Sequence, residues 1–143
     1  AVIGGESSGG MAVRGHISGK DGIYAAALLV EMLAVTGKSV SELFAEIARQ
    51  YGDPQWAEAD FRMTHDHKAA LQERLFVRDE TPDFGKAVAR ICRDDGCKVY
   101  FADGSWVICR FSGTEPLLRM AAEADTQDEA ERYIRVWRDF LKL

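Results

Sequence analysis

The stretch "KVYFADGSWVICRF", residues 98–111, sets two runs of β-branched and aromatic residues on either side of Asp103-Gly104. Asp-Gly tolerates the positive φ angles of a tight turn, so the two runs are expected to pair as an antiparallel hairpin. "LLRMAAEA", residues 117–124, supplies a third strand, and "FRMTHD", residues 61–66, opens another strand with Phe61 and Met63 alternating with polar residues. A short helix is expected after Asp66, with Ala70, Leu71 and Leu75 turned inward. Thr126 and Glu129 have capping-box spacing, and they open a last helix whose inner face is Ala130, Tyr133, Ile134, Trp137, Phe140 and Leu141. Strands followed by helices that cover one side of them give an α+β class: an antiparallel sheet with helices on one face.

The first part of the chain has a different texture. "AVIGGESSGG" passes from a short apolar run into a glycine-rich loop and reads as the end of a strand. Residues 23 to about 35 are apolar almost all round, so a helix there is expected to be buried, with neighbours on several sides. Asp21 is placed to cap it, and Gly37 ends it. Ser39 and Glu42 then form a second capping box, followed by Val40, Leu43, Phe44, Ile47, Ala48 and Tyr51 as a single core-facing stripe. Gly52 and Pro54 close this helix, dividing the chain into a partial α/β domain, residues 1–52, and the α+β domain, residues 53–143.

Of 143 residues, 47% are hydrophobic and 29% charged, which is globular composition, and the net charge of -5 argues against a nucleic acid or an anionic membrane as partner. The longest apolar run, "IYAAALLV", is too short to span a bilayer, and no targeting segment stands at the start. Cys92, Cys97 and Cys109 have neither metal-ligand nor disulfide-framework spacing, so they read as reduced thiols of a cytoplasmic protein. His65 and His67 flank Asp66 at an expected strand end without a third ligand, and no metal site is assigned to them.

Two loops carry the chemistry. In "RFSGTEPLLR", residues 110–119, Arg110 offers a guanidinium fork, Ser112 and Thr114 offer hydroxyls, and Gly113 lets the main chain approach closely; together these suit the oxygens and charge of a phosphate monoester. The same Ser-Gly-Thr also serves to turn the chain between two strands. Glu115 must point away from any anion held there, and Arg119 reads either as a second cation or as a surface salt-bridge partner. In "GGESSGG" the carboxylate of Glu6 and the hydroxyl of Ser8 suit sugar hydroxyls, and a flexible glycine loop accounts for the same residues. No catalytic residue is assigned within the chain.

Taken together and in this order, "GGESSGG", "KDGI" and "RFSGTEPLLR" resemble the C-terminal part of an α-D-phosphohexomutase, the phosphoglucomutase and phosphomannomutase family. The first is similar to that family's sugar-recognition loop GE-x-SG and the last to its phosphate-binding loop R-x-SGTEP-x-x-R. The resemblance implies the tail of a third, sugar-recognition domain followed by a fourth domain of the kind seen in the TATA-box-binding protein. It implies an isomerase that interconverts hexose 1- and 6-phosphates, glucose phosphates foremost, through a phosphoserine enzyme and a hexose 1,6-bisphosphate intermediate. Glu6 and Ser8 match its sugar contacts, and Arg110, Ser112, Gly113, Thr114 and Arg119 match its phosphate loop. The family's phosphoserine and Mg²⁺ loops lie in earlier domains, so this chain is expected to recognise substrate without turning it over and to have those domains as partners. Two departures stand out: Ser7 at a variable place in the first loop, and Ala121 where an aromatic residue is common. The rival reading is a free-standing phosphate or phosphosugar binding module with no catalytic role.

Overall fold

A computed structural model describes every residue of the chain except Ser7, Ser8 and Thr114. The chain divides into two compact units, Ala1–Gly52 and Asp53–Leu143. In the first, β1 (Ile3–Gly5) and β2 (Met11–Val13) form a small antiparallel hairpin around the glycine loop, followed by α1 (Gly22–Thr36) and α2 (Val40–Tyr51). The apolar run at the start therefore pairs within the unit, with a strand at residues 11–13 that its sequence did not announce. Asp21 caps α1 by accepting from the amides of Ile23 and Tyr24, and Gly37 ends the helix by donating to the carbonyl of Leu33. Ser39 and Glu42 form the full reciprocal capping box of α2.

The expected burial of α1 is corrected here. Neither α1 nor α2 has a buried residue; Ile23 is 87% and Val35 78% exposed, and the α2 stripe of Phe44, Ile47 and Tyr51 is open as well. An apolar helix is buried only if a second layer covers it, and a two-stranded hairpin is too small a layer. No single helix among the described residues is long and apolar enough to cross a membrane, and α1 and α2 are broken from each other by an 86° bend.

In the second unit, β3 (Gln55–Arg62) leads to α3 (His65–Gln72), which continues into one π-helical turn, Glu73–Val77. Then come β4 (Val88–Cys92), β5 (Cys97–Phe101), β6 (Trp106–Phe111), β7 (Leu117–Ala124) and α4 (Gln127–Leu141). The strands form one antiparallel sheet in the order β3-β7-β6-β5-β4. The hairpin is where the sequence put it: Gly104 alone takes a positive φ, 94°, while the amide of Phe101 donates to the carbonyl of Ser105. This is the one-glycine form of turn, with Asp103 at an ordinary φ.

β3 begins earlier than "FRMTHD" suggested and stops within it at Arg62, because Thr64 is the N-cap of α3 and His65 and His67 lie in that helix's first turn, not at a strand end. Leu71 and Leu75 are buried as expected, whereas Ala70 is exposed. Thr126 caps α4 through the amide of Glu129, but the box is one-sided: the Glu129 carboxylate is taken by Lys86 and Tyr133.

Period-two alternation gives the sheet two unlike faces. One side presents Ala57, Val99, Val107, Cys109, Leu118, Met120 and Ala122 to Tyr133, Ile134 and Trp137 of α4 and to Leu71 and Leu75, forming a single core. The alanines among them let α4 lie close to β3 and β7. The other side carries cross-strand rows of polar and aromatic residues, with Lys98 over the Trp106 ring at 3.5 Å and Trp56 edge-on to Trp106 at 5.5 Å. The three cysteines are free, Cys97 and Cys109 being buried.

Candidate functional site

The loop between β6 and β7 leaves one end of the sheet. Its two ends are tied together by the amide of Ser112 donating to the carbonyl of Leu117 at 2.9 Å, and Met63 donates to the carbonyl of Pro116 at 3.0 Å. β3 and the start of α3 thereby abut the loop. Ser112 is buried, and its Oγ accepts the amide of Glu115 at 3.3 Å, which leaves the hydroxyl proton to donate. An added Cβ at Gly113 would meet nothing within 4 Å, so the fold itself makes no steric demand for glycine there. Thr114, matched to the phosphate contacts, lies outside the described residues.

Arg110 and Arg119 stand directly opposite each other across β6 and β7, on the face of the sheet away from α4, and Asp60 of β3 continues the row. Arg110 Nη1 lies 3.0 Å from Asp95 Oδ2. Arg119 is 3.3 Å from Glu115 and 3.9 Å from Asp60. Glu115, expected to turn away from an anion, thus spends its carboxylate on the neighbouring arginine, and Arg119 has the ion-pair partners of a surface arginine.

Sequence reasoning missed three residues that shape this end of the sheet. Lys68 of α3 donates from Nζ to the carbonyl of Ser112 at 3.3 Å, a contact between residues too far apart in sequence to leave a local signal. Asp95 and Gly96 form the β4–β5 turn beside Arg110. A Cβ on Gly96, whose φ is 100°, would fall 2.7 Å from the carbonyl of Cys109 and 2.9 Å from Arg110 Cβ, so this turn packs directly on the base of the arginine. The Asp-Asp-Gly run at residues 94–96 is a turn signal that marks it.

In the first unit, Glu6 sits in the turn of the β1–β2 hairpin, its amide donating to the carbonyl of Gly10 at 2.9 Å. Lys20 of the "KDGI" segment reaches Glu6 at 2.7 Å, bringing those two motifs together. The Lys20 side chain passes close over Gly10, where a Cβ would lie 2.4 Å from Lys20 Cδ and push that flexible chain aside. Asp21 bonds His16 at 2.8 Å, and that bond, with the amides of Tyr24 and Ile23, holds its carboxyl below the usual range. Ser8 lies outside the described residues, as does Ser7.

Residues 1–51 match the family model described as phosphoglucomutase/phosphomannomutase, alpha/beta/alpha domain III, and residues 58–137 match the phosphoglucomutase/phosphomannomutase C-terminal domain. A protein of Thermococcus kodakarensis named phosphoglucomutase/phosphomannomutase is 33% identical over 94% of this chain and 27% of its own length. A phosphoglucosamine mutase of Bacillus licheniformis is 32% identical over 99% of this chain, again 27% of its own length. The solved structure of a phosphoglucomutase/phosphomannomutase family protein from Burkholderia thailandensis shares the fold, with a TM-score of 0.69 at 24% identity, covering 99% of this chain and 28% of that one. The chain thus spans little more than a quarter of the relatives it matches, and it belongs to the phosphoglucomutase/phosphomannomutase family.

Proposed function

We propose that this chain recognises the substrate of a phosphohexomutase interconverting hexose 1- and 6-phosphates, glucose phosphates foremost, through a phosphoserine enzyme and a hexose 1,6-bisphosphate intermediate. In this reading Arg110, Ser112, Gly113 and Thr114, with Arg119, clamp the phosphate that is not being transferred, while Glu6 and Ser8 hold sugar hydroxyls. The clamp makes no bonds. It contributes positioning and charge neutralisation, on which phosphoryl transfer chiefly depends. The phosphoserine and Mg²⁺ belong to further domains of the same protein. No step assigned to these residues passes through Mg²⁺.

The observation that carries the reading is the placing of Arg110 opposite Arg119 at the mouth of a loop whose glycine is unobstructed. Like charges directly across a ladder destabilise it; exposed carboxylates of Asp95, Glu115 and Asp60 offset this in the unliganded chain, and in this reading a phosphate with two negative charges takes their place between the two guanidinium groups. Titrating the ¹⁵N-labelled chain with inorganic phosphate and with glucose 6-phosphate tests it. The amides of Arg110, Ser112 and Gly113 should shift, and Arg110→Ala should weaken binding by about 1.5–3 kcal/mol, roughly tenfold to a hundredfold. Amides that stay still, or an Arg110→Ala chain that binds like the wild type, would refute it.

A further inference from the structure

The loop's carbonyl contact carries a consequence for its amides. Lys68 Nζ donates to the Ser112 carbonyl at 3.3 Å, and the same ammonium lies 5.8 Å from the centroid of the Phe111 ring, which steadies it at the end of β6. No peptide bond in the described chain is cis. In a planar trans peptide the C=O of one residue and the N–H of the next point in opposite directions, so a carbonyl held toward α3 sends the Gly113 N–H the other way. Among the described residues no acceptor takes that N–H. Nor does any carboxylate among them pair with Lys68, whereas Arg110 and Arg119 at the same loop are each matched by an aspartate or glutamate.

We propose that Lys68 is a positioning residue for the phosphate loop: by holding the Ser112 carbonyl it fixes and polarises the Ser112–Gly113 peptide, presenting the Gly113 N–H as an anion donor. It rests on the phosphate reading of the loop given above. Lys68 does not touch the anion in this scheme. A donor on the carbonyl strengthens the hydrogen-bond acidity of the amide in the same peptide, and the uncompensated ammonium adds a field that favours the bound anion.

The test uses the 143-residue chain, inorganic phosphate as probe and three variants: Lys68→Met, Lys68→Gln and Lys68→Arg. Without ligand, the Gly113 amide resonance should move in the two neutral variants and stay near its wild-type position in Lys68→Arg. Phosphate affinity should fall about tenfold in the neutral variants, the scale of one charge-assisted hydrogen bond, and recover to within about threefold in the arginine variant. Thermal melting should stay close to wild type in all three, since Lys68 lies outside the core cluster. A merely structural lysine would not give this charge-dependent rescue. Wild-type affinity and an unmoved Gly113 resonance in the neutral variants would overturn this inference alone. A wild type that binds no phosphate would overturn the reading it rests on, and this inference with it.

Discussion

Lys86 ties three pieces of the second unit together, and removing it gives the sharpest test of how that unit is held. Its ammonium lies 2.7 Å from Glu129 of α4, 2.9 Å from the Tyr133 hydroxyl and 3.3 Å from Ser105. It also pairs with Asp103 at the tip of the β5–β6 hairpin. Burial alone would lower its pKa, and the bonds to Asp103, Glu129 and Tyr133 overcome that and push it up. Lys86→Met keeps an unbranched side chain, one atom shorter, and deletes the charge. A fully stranded buried ion would cost about 3–5 kcal/mol. Two facts reduce that figure. Tyr133 still donates to Glu129 at 2.8 Å and Ser105 to Asp103 at 2.6 Å, so neither carboxylate is orphaned. The side chains of Lys86, Glu129 and Asp103 are also 22%, 25% and 37% exposed, so water screens them. The expected loss is about 2–3 kcal/mol, or roughly 10–20 °C in Tm for a domain of this size. All three tryptophans, Trp56, Trp106 and Trp137, belong to the second unit, so their fluorescence reports its melting without interference from the first. The bonds from Lys86 hold Asp103 at about 2, below its ordinary 3.8, and hold Glu129 below 4.5. Folded-state values below the unfolded ones stabilise above the ordinary range and are lost as pH falls through the lowered values. The Lys86 value lies above the ordinary 10.5, so its contribution is complete below that pH and is lost only in stronger alkali. The difference between wild type and Lys86→Met should therefore be flat from about pH 5 to 10 and shrink toward about pH 2. A variant melting within about 3 °C of wild type at pH 7, well short of even 1 kcal/mol, would refute this account of the network.

Gly96→Ala would drive a Cβ into the Cys109 carbonyl and the base of Arg110, at a φ of 100° that alanine rarely adopts. We expect a loss of about 1–3 kcal/mol by urea denaturation together with weaker phosphate binding; loss of stability with unchanged binding would show that the turn does not position the arginine. Deleting residues 1–52 should leave the tryptophan melting transition within a few degrees of the intact chain, because the core cluster of the second unit contains no residue from the first. A transition that collapses or broadens on deletion would mean the second unit is not an independent folding unit.

What could be read from the sequence depended on how local the cause was. The Asp103-Gly104 turn, the Ser39 and Thr126 caps and the Tyr133–Trp137 stripe are each written within a few adjacent residues, and each stands where its pattern put it. β3 was placed too late because its inward residues are Ala57 and Ala59, small enough to admit α4 but too weakly apolar to advertise a strand. β4 is an edge strand with exposed Val88 and a bulge before Arg90, so its alternation was blurred. The burial of α1 was misjudged because burial is a property of layers, and no single helix encodes the layer above it. The same division holds at the candidate site. Arg110, Ser112 and Gly113 are contiguous and were legible, whereas Lys68 and Asp95 reach them only through the order of the sheet and the packing of α3.

That order also sets the resting electrostatics of the loop. Strand pairing forces Arg110 against Arg119, and the chain answers with Asp95, Glu115 and Asp60 at 3.0, 3.3 and 3.9 Å. These carboxylates are half or more exposed, so each pair contributes only a few tenths to about 1 kcal/mol and opens readily. In the proposed role, a phosphate would not meet bare guanidinium groups; it would exchange with carboxylates already in place. Its binding free energy is then a difference between two similar attractions, smaller than the gross charge of the loop suggests. For the proposed role this moderation is useful, because a clamp that holds its phosphate equally tightly in the ground state and the transition state gains no rate, and one that holds it too tightly releases product slowly.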